Sequence, residues 1–193
     1  MRSKRLTLAL LCALVPGLLR STKPAAADPA ARLSAALQRI ARNERSRGPW
    51  RNVTLTALGV NSYFAGPGRA RLPRGISHLL LSSQPGEIIG SARVNFDEIR
   101  AGRRLNPLLG QMFTGTHQLV ATARVVSDRA PAAQLDIDSV AIDGQQIPNV
   151  LIDLALLEFV QPRHPEISRH FAVRLPRHVR RALVGNNRVT LEY

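Results

Sequence analysis

The residues that could carry out chemistry are few and scattered along the chain. None of the five histidines has a second histidine or a cysteine at metal-ligand spacing, and the closest pair in sequence is His164 and His170. The Gly-x-Ser-x-Gly motif of a nucleophile elbow is missing, and Gly66-Pro67-Gly68 is not followed by the lysine of a phosphate-binding loop. We therefore expect no metal site, no cofactor and no enzymatic activity.

Three carboxylates lie close together in sequence: Asp136, Asp138 and Asp143. Asp136 and Asp138 alternate with the apolar Leu135 and Ile137, and successive residues of a strand point to opposite faces of the sheet. This pattern predicts exposed carboxylates on a solvated face instead of a catalytic pair. A hydrolase whose site is assembled from distant residues stays open as an alternative.

The beginning of the chain has the order of a secretory signal. Arg2, Lys4 and Arg5 precede the apolar run 6–19, and Ala25-Ala26-Ala27 offers a small-residue cleavage site. Residues 1–27 are therefore predicted to be a signal peptide that directs the protein across the inner membrane, to the periplasm. The alternative is an uncleaved N-terminal membrane anchor.

Charge narrows the class of partner. The 193-residue chain has 27 Lys+Arg against 13 Asp+Glu, and cleavage after residue 27 would leave 22 arginines, no lysine and no cysteine. A strongly basic chain suggests nucleic acid. An exported protein does not meet the genome, however, and no basic strip carries interleaved stacking aromatics. We expect no nucleic acid, and we expect an anionic membrane surface or anionic amphiphile as the partner of the arginines.

Hydrophobic periodicity predicts the elements of the fold. Apolar residues recur at helical spacing over residues 29–46, which should form a basic amphipathic helix in an N-terminal segment 28–49. A second helix is predicted over residues 55–64, with Thr56 as its N-cap. Residues 50–193 are predicted to form a single α+β domain.

Three hairpins are predicted in that domain. Pro85-Gly86 should join strands 77–83 and 88–96, and Asp128–Ala132 should join the strands of the second hairpin. The apolar phase of the return strand changes at Asp138-Ser139, which predicts a β-bulge. Asp97 is expected to cap a helical turn, and Pro148–Phe159 should form a central, mostly apolar helix. The third hairpin, residues 179–193, turns at Gly185.

The inward positions of the central strands are small. They are Gly90, Ala92, Ala121 and Ala123. Two interpretations stay open: the apolar helix approaches the sheet closely at these residues, or the missing volume forms a groove for acyl chains, which need apolar walls and no hydrogen-bond partners.

Short motifs in residues 50–193 resemble a known family. They are Leu55, Thr56, Asn61 and Tyr63 in the second helix; Leu72, Pro73, Gly75 and Ile76 before the first hairpin; Gly90, Ala92, Val94 and Phe96 in its second strand; Val140, Ile142, Gly144, Ile147 and Pro148 before the apolar helix; and Phe171, Val173, Leu175 and Pro176 before the last hairpin. In these motifs the chain resembles the small bacterial envelope proteins related to LmeA-like and YceB-like lipid-binding domains, which are similar to half of a tubular lipid-binding (TULIP, BPI-like) module.

The resemblance implies a curved antiparallel sheet wrapped around a long apolar helix, which binds or carries a lipid without catalysis. Six residues are then expected to form the walls that contact the acyl chain: Val94, Phe96, Met112, Phe113, Leu154 and Leu157. The alternative is an envelope structural or assembly protein with a packed core and protein partners. The sequence leaves the identity of the ligand open.

Overall fold

The computed structural model describes residues 28–41, 52–100, 110, 113–162, 164–176 and 178–193. The predicted signal peptide, residues 42–51 and Met112 lie outside these ranges. The helices are α1 (Pro29–Ala41), α2 (Ala57–Ala65), α3 (Phe96–Arg100) and α4 (Asn149–Ala155), and α4 continues as a π-helical turn, Leu156–Val160. The strands are β1 (Asn52–Thr56), β2 (Ile76–Gln84), β3 (Glu87–Asn95), β4 (Thr116–Ser127), β5 (Ala132–Ile142), β6 (Gln145–Gln146), β7 (His170–Arg174), β8 (Arg181–Gly185) and β9 (Arg188–Glu192).

The strands form two antiparallel sheets. In the larger sheet the order is β2-β3-β4-β5, and both β6 and β7 pair with β5. In the smaller sheet the order is β1-β9-β8. The prediction of an α+β fold built on antiparallel strands is confirmed.

The three hairpins and the bulge are confirmed. Gly86 has a φ of +77° in the turn between β2 and β3, a conformation that glycine adopts without a steric penalty. Between β4 and β5, Thr122 pairs with Ser139 and Ala123 pairs with Ile137. Asp138 is therefore the extra residue, and the bulge restores the inward phase of the apolar residues on both sides of it.

Two boundaries of the predicted helices are corrected. Leu55 belongs to β1, and α2 begins only after Thr56, whose Oγ1 accepts a hydrogen bond from the Gly59 backbone N–H at 3.1 Å. At α3 the capping side chain is Asn95, because its Oδ1 accepts from the Asp97 and Glu98 backbone N–H groups at 3.1 and 3.2 Å. The predicted cap Asp97 instead accepts from the Gly115 N–H at 2.9 Å, which ties α3 to the start of β4.

The edge strand β2 is covered by one side chain of α2. The Asn61 amide donates to the Leu81 carbonyl at 2.9 Å, and its Oδ1 accepts from the Leu81 N–H at 2.7 Å. These bonds imitate a neighbouring strand at a position where β2 has none. Helix α2 is thereby fixed to the edge of the larger sheet.

Most of the buried side chains that the structure describes fall into two clusters. In one, α1 and α2 pack on the smaller sheet, with Leu33, Phe64 and Leu191 among its members. In the other, the Phe96 ring lies with its centroid 5.0 Å from that of Phe113 and 5.6 Å from that of Phe159. The inward residues in the middle of β4 and β5 belong to neither cluster, so the centre of the larger sheet is not covered by packed side chains.

Within the described ranges, no helix combines the length and the apolar character that crossing a bilayer requires.

Candidate functional site

A cavity of about 430 Å³ lies between the larger sheet, helix α4 and the smaller sheet. On the same measure, a void needs roughly 10–15 Å³ to hold one water molecule. Protein interiors contain few voids larger than a water molecule. The cavity is therefore far larger than a packing defect.

The chemical character of the cavity is uniform. Among the described residues that line it, Ser91 is the only one with a polar side chain, and strand alternation directs its hydroxyl to the other face of the sheet from Gly90 and Ala92. Apolar cavities of about 150 Å³ already stay dry and take up benzene. This lining can hold an apolar group, and it offers no nucleophile, base or metal ligand to one.

The small residues of the central strands create the floor of the cavity. Strand pairing sets Gly90 between Leu81 and Ala121, and sets Ala123 between Ile88 and Ile137. All of these residues line the cavity. Two interpretations of the small residues were open: close approach of the apolar helix, or unfilled space. The structure shows unfilled space at these residues.

Helix α4 forms one wall of this space and is not enclosed by the sheet. Ile152 is 4% exposed, whereas Val150 and Leu157 are 69% and 55% exposed. The finer expectation, a curved sheet wrapped around this helix, is not confirmed. A helix that is apolar on nearly all sides has no unique buried stripe, so its sequence does not specify which side meets the sheet.

The predicted wall residues are only partly brought together. Val94, Phe96 and Phe113 line the cavity and are 6%, 4% and 3% exposed. Leu154 packs against the cluster of Phe96 without lining the cavity, and Leu157 lies at the surface. On the helix the cavity side is instead formed by Leu151, Ile152, Ala155, Leu156, Phe159 and Val160. Met112 lies outside the described residues.

Two of the groups of wall residues that were not predicted are informative. One is the inward face of β5, which contributes Leu135, Ile137, Val140 and Ile142. The alternation of apolar and polar residues on either side of the bulge was sufficient to predict that these residues face inward. The other is the smaller sheet, which contributes Leu55, Ala182, Val184, Val189 and Leu191. No local pattern shows that this sheet faces the larger one.

None of the described residues that line the cavity has a titratable side chain. Among the titratable residues elsewhere, His117 has a hydrogen-bond partner at each ring nitrogen. Its Nδ1 lies 2.6 Å from Asp143 Oδ2, and its Nε2 lies 2.6 Å from the Thr114 carbonyl oxygen. Both acceptors favour the imidazolium, which can donate from both nitrogens. The hydrogen bond with Asp143, and then that with Thr114, raises the pKa of His117 above 6.5, and the hydrogen bond with His117 lowers the pKa of Asp143.

The other carboxylates of this segment are engaged in structural pairs. Asp138 accepts from Arg124 Nε at 3.0 Å, and this pair lowers the pKa of the Asp138 carboxyl. Asp136 Oδ1 lies 2.7 Å from His170 Nδ1. The Ser168 hydroxyl donates to the backbone carbonyl of His170 and not to its ring, so these residues do not form a serine–histidine–aspartate relay.

The part of the chain that the structure describes holds no group of three histidine, cysteine or acidic residues suited to a metal ion. The candidate site is thus the apolar cavity, defined by its shape and lining. No protein-family model, no curated protein and no solved structure matches this chain.

Proposed function

We propose that the protein binds an amphiphile, a phospholipid or a related acyl-chain lipid, non-covalently in the cavity. The observation that carries this proposal is a space of about 430 Å³ whose described walls present no polar side chain beyond Ser91. Burial of an acyl chain is favourable by about 0.8 kcal/mol per methylene group. Water is not stabilised there, because a buried water molecule needs two to four polar partners.

The proposal extends to the compartment and the role of the protein. The signal-like residues 1–27 support export to the periplasm, and the motif resemblance to LmeA-like and YceB-like proteins supports a part in envelope lipid homeostasis or transport. We propose binding without catalysis, because the described walls carry no group that could act as nucleophile or base. The alternative of an assembly protein rests on a packed core, which the cavity does not support.

The first experiment asks whether the protein carries lipid. The full chain is purified from bacteria without detergent, and an organic extract and the intact protein are both analysed by mass spectrometry. The delipidated protein is then titrated with a fatty acid that carries a fluorescent group on its chain. We expect copurified lipid in the extract and saturable uptake of the probe.

Two matched variants locate the site. Ala123→Trp places an indole in the cavity, and Ala141→Trp makes the same change on β5 at a residue that does not line it. We expect about tenfold weaker probe binding for Ala123→Trp and unchanged binding for Ala141→Trp. Equal binding by both variants and the wild type would refute this location, and a protein with neither copurified lipid nor probe uptake would refute the function.

A further inference from the structure

We propose that the cavity holds one linear acyl chain of about 16 carbon atoms, so that the ligand is a single-chain lipid such as a fatty acid or a lysophospholipid. This inference rests on the proposed function and names the class of lipid that the same site takes. It also assigns the closed end of the cavity to three rings in contact, which we call the aromatic cluster: Phe96, Phe113 and Phe159.

The volume of the cavity limits the amount of ligand. An apolar cavity of about 150 Å³ takes up one benzene molecule. The cavity of this protein, at about 430 Å³, is about three times as large, so at the same packing it accommodates roughly 17 carbon atoms. One acyl chain of ordinary length fills this space, and the two chains of a diacyl phospholipid do not fit in it together.

Strand β4 gives an independent measure of length. Its lining residues run from Leu119 to Val125, and no other residue of this strand lines the cavity. These six residue steps, at about 3.3 Å each, span about 20 Å. An extended hydrocarbon chain advances about 1.25 Å per carbon atom, from a bond of about 1.5 Å and an angle of about 111°. The length therefore also corresponds to about 16 carbon atoms.

The aromatic cluster closes the cavity beside Leu119. Phe96 and Phe113 are buried, and the centroid of the Phe159 ring lies 5.6 Å from the first and 5.7 Å from the second. His117 is the next inward residue of β4 beyond Leu119. It does not line the cavity, and its ring centroid lies 6.0 Å from that of Phe96. A chain cannot pass this point without displacing a ring, so its methyl end lies against the aromatic cluster.

The lining also restricts the chemistry of the chain. At the closed end the residues that border the cavity are aromatic and aliphatic, with Val94 and Leu119 beside the aromatic cluster. A hydroxyl buried there would lose its hydrogen bonds to water and find no partner among these side chains. We therefore expect an unsubstituted hydrocarbon chain.

The first test is a series of chain lengths. The delipidated full-length protein is titrated with laurate, myristate, palmitate, stearate, arachidate and behenate, each measured by displacement of the fluorescent fatty acid. Each added pair of methylene groups should raise the affinity about tenfold until the chain fills the cavity, and we expect the rise to end at palmitate or stearate. ω-Hydroxypalmitate, which carries one hydroxyl at the methyl end, should bind at least about tenfold more weakly than palmitate.

Two matched variants test the closed end. Phe159→Ala removes one ring of the aromatic cluster, and Phe64→Ala makes the same change in the cluster of α1 and α2, at a residue that does not line the cavity. In Phe159→Ala the rise in affinity should continue to chains longer by about two to four carbon atoms, whereas Phe64→Ala should keep the limit of the wild type. Native mass spectrometry of the wild type should find one palmitate per protein, a result that does not depend on either variant being folded.

The outcomes distinguish the two proposals. If no fatty acid of the series binds the wild type, the proposed function fails. An affinity that still rises from stearate to behenate, a rise that ends before palmitate, or two palmitates bound per protein would overturn the single chain and leave the proposed function standing. A folded Phe159→Ala protein with the chain-length limit of the wild type, or ω-hydroxypalmitate bound as tightly as palmitate, would overturn the assignment of the closed end.

Discussion

Ala121→Phe tests whether the cavity is open space. The test is whether the substitution raises or lowers the free energy of unfolding. Ala121 is in the middle of β4, faces the cavity and is paired with Gly90, which has no side chain to displace. In the delipidated protein a phenyl group at this position has open space in front of it. Phenylalanine also suits a strand at least as well as alanine does.

The magnitude follows from burial and ordering. Burying the phenyl group contributes about 1.5–3 kcal/mol relative to leaving it in water. Ordering a side chain of this size costs roughly 0.5–1 kcal/mol. We expect the free energy of unfolding to rise by about 1 kcal/mol, or a Tm higher by about 2–4 °C for a chain of this length. In a fully packed core the same substitution would lower the free energy of unfolding by about 1–3 kcal/mol.

The assay is urea unfolding of the delipidated protein, followed by circular dichroism and repeated for Ala141→Phe. This control makes the same change on β5 at a residue outside the cavity lining, and its effect should stay within about 0.5 kcal/mol of the wild type. The reasoning would be refuted if Ala121→Phe folds but loses more than about 1 kcal/mol of unfolding free energy while Ala141→Phe is unaffected. That result would show that the space is filled.

Three further changes test individual contacts elsewhere in the fold. His117→Asn removes a contact in which Asp143 raises the pKa of the histidine above 6.5. The stabilisation is fully present below 6.5 and is lost as the pH rises through the raised value, so the Tm difference from the wild type should shrink toward alkaline pH; a difference that grows instead would contradict the assignment. Asn61→Ala removes both hydrogen bonds to Leu81, and urea unfolding should show a loss of about 1–3 kcal/mol, whereas no measurable loss would mean that water replaces the amide. Gly68→Ala places a Cβ 2.1 Å from Tyr63 Cε1, so the buried ring must move, and calorimetry should record a loss of about 1–3 kcal/mol; an unchanged Tm would show that the ring yields freely.

Features encoded by short-range patterns were predictable from the sequence. The alternation of apolar and polar residues predicted the inward face of β3, which includes Val94. One change in the phase of this alternation along β5 was enough to locate the bulge at Asp138. Thr56 was predicted as a cap because a hydroxyl before a helical segment satisfies an otherwise unpaired N–H. Such features depend on neighbours within a few residues, so no knowledge of the tertiary structure is required.

Features that depend on distant pairing were not predictable. The position of β7 beside β5, and the smaller sheet that β1 completes with β8 and β9, join segments far apart in the chain. The orientation of α4 was missed for another reason. Its residues are apolar on nearly every side, so Leu157 could not be distinguished by periodicity from Leu156, which lines the cavity.

An empty cavity lowers the stability of the folded protein. Larger side chains at Gly90, Ala121 and Ala123 would bury more apolar surface, and the atoms that border an empty space lose dispersion contacts on that side. The sequence nevertheless pairs Gly90 with Ala121 at the centre of the larger sheet. Under the proposed function, an acyl chain in this space would restore both the burial and the contacts and would stabilise the folded state by mass action. The same small residues thus lower the stability of the empty protein and, under the proposed function, leave room for an apolar ligand. The sign of the effect of Ala121→Phe on the free energy of unfolding therefore tests the open space on which the proposal depends.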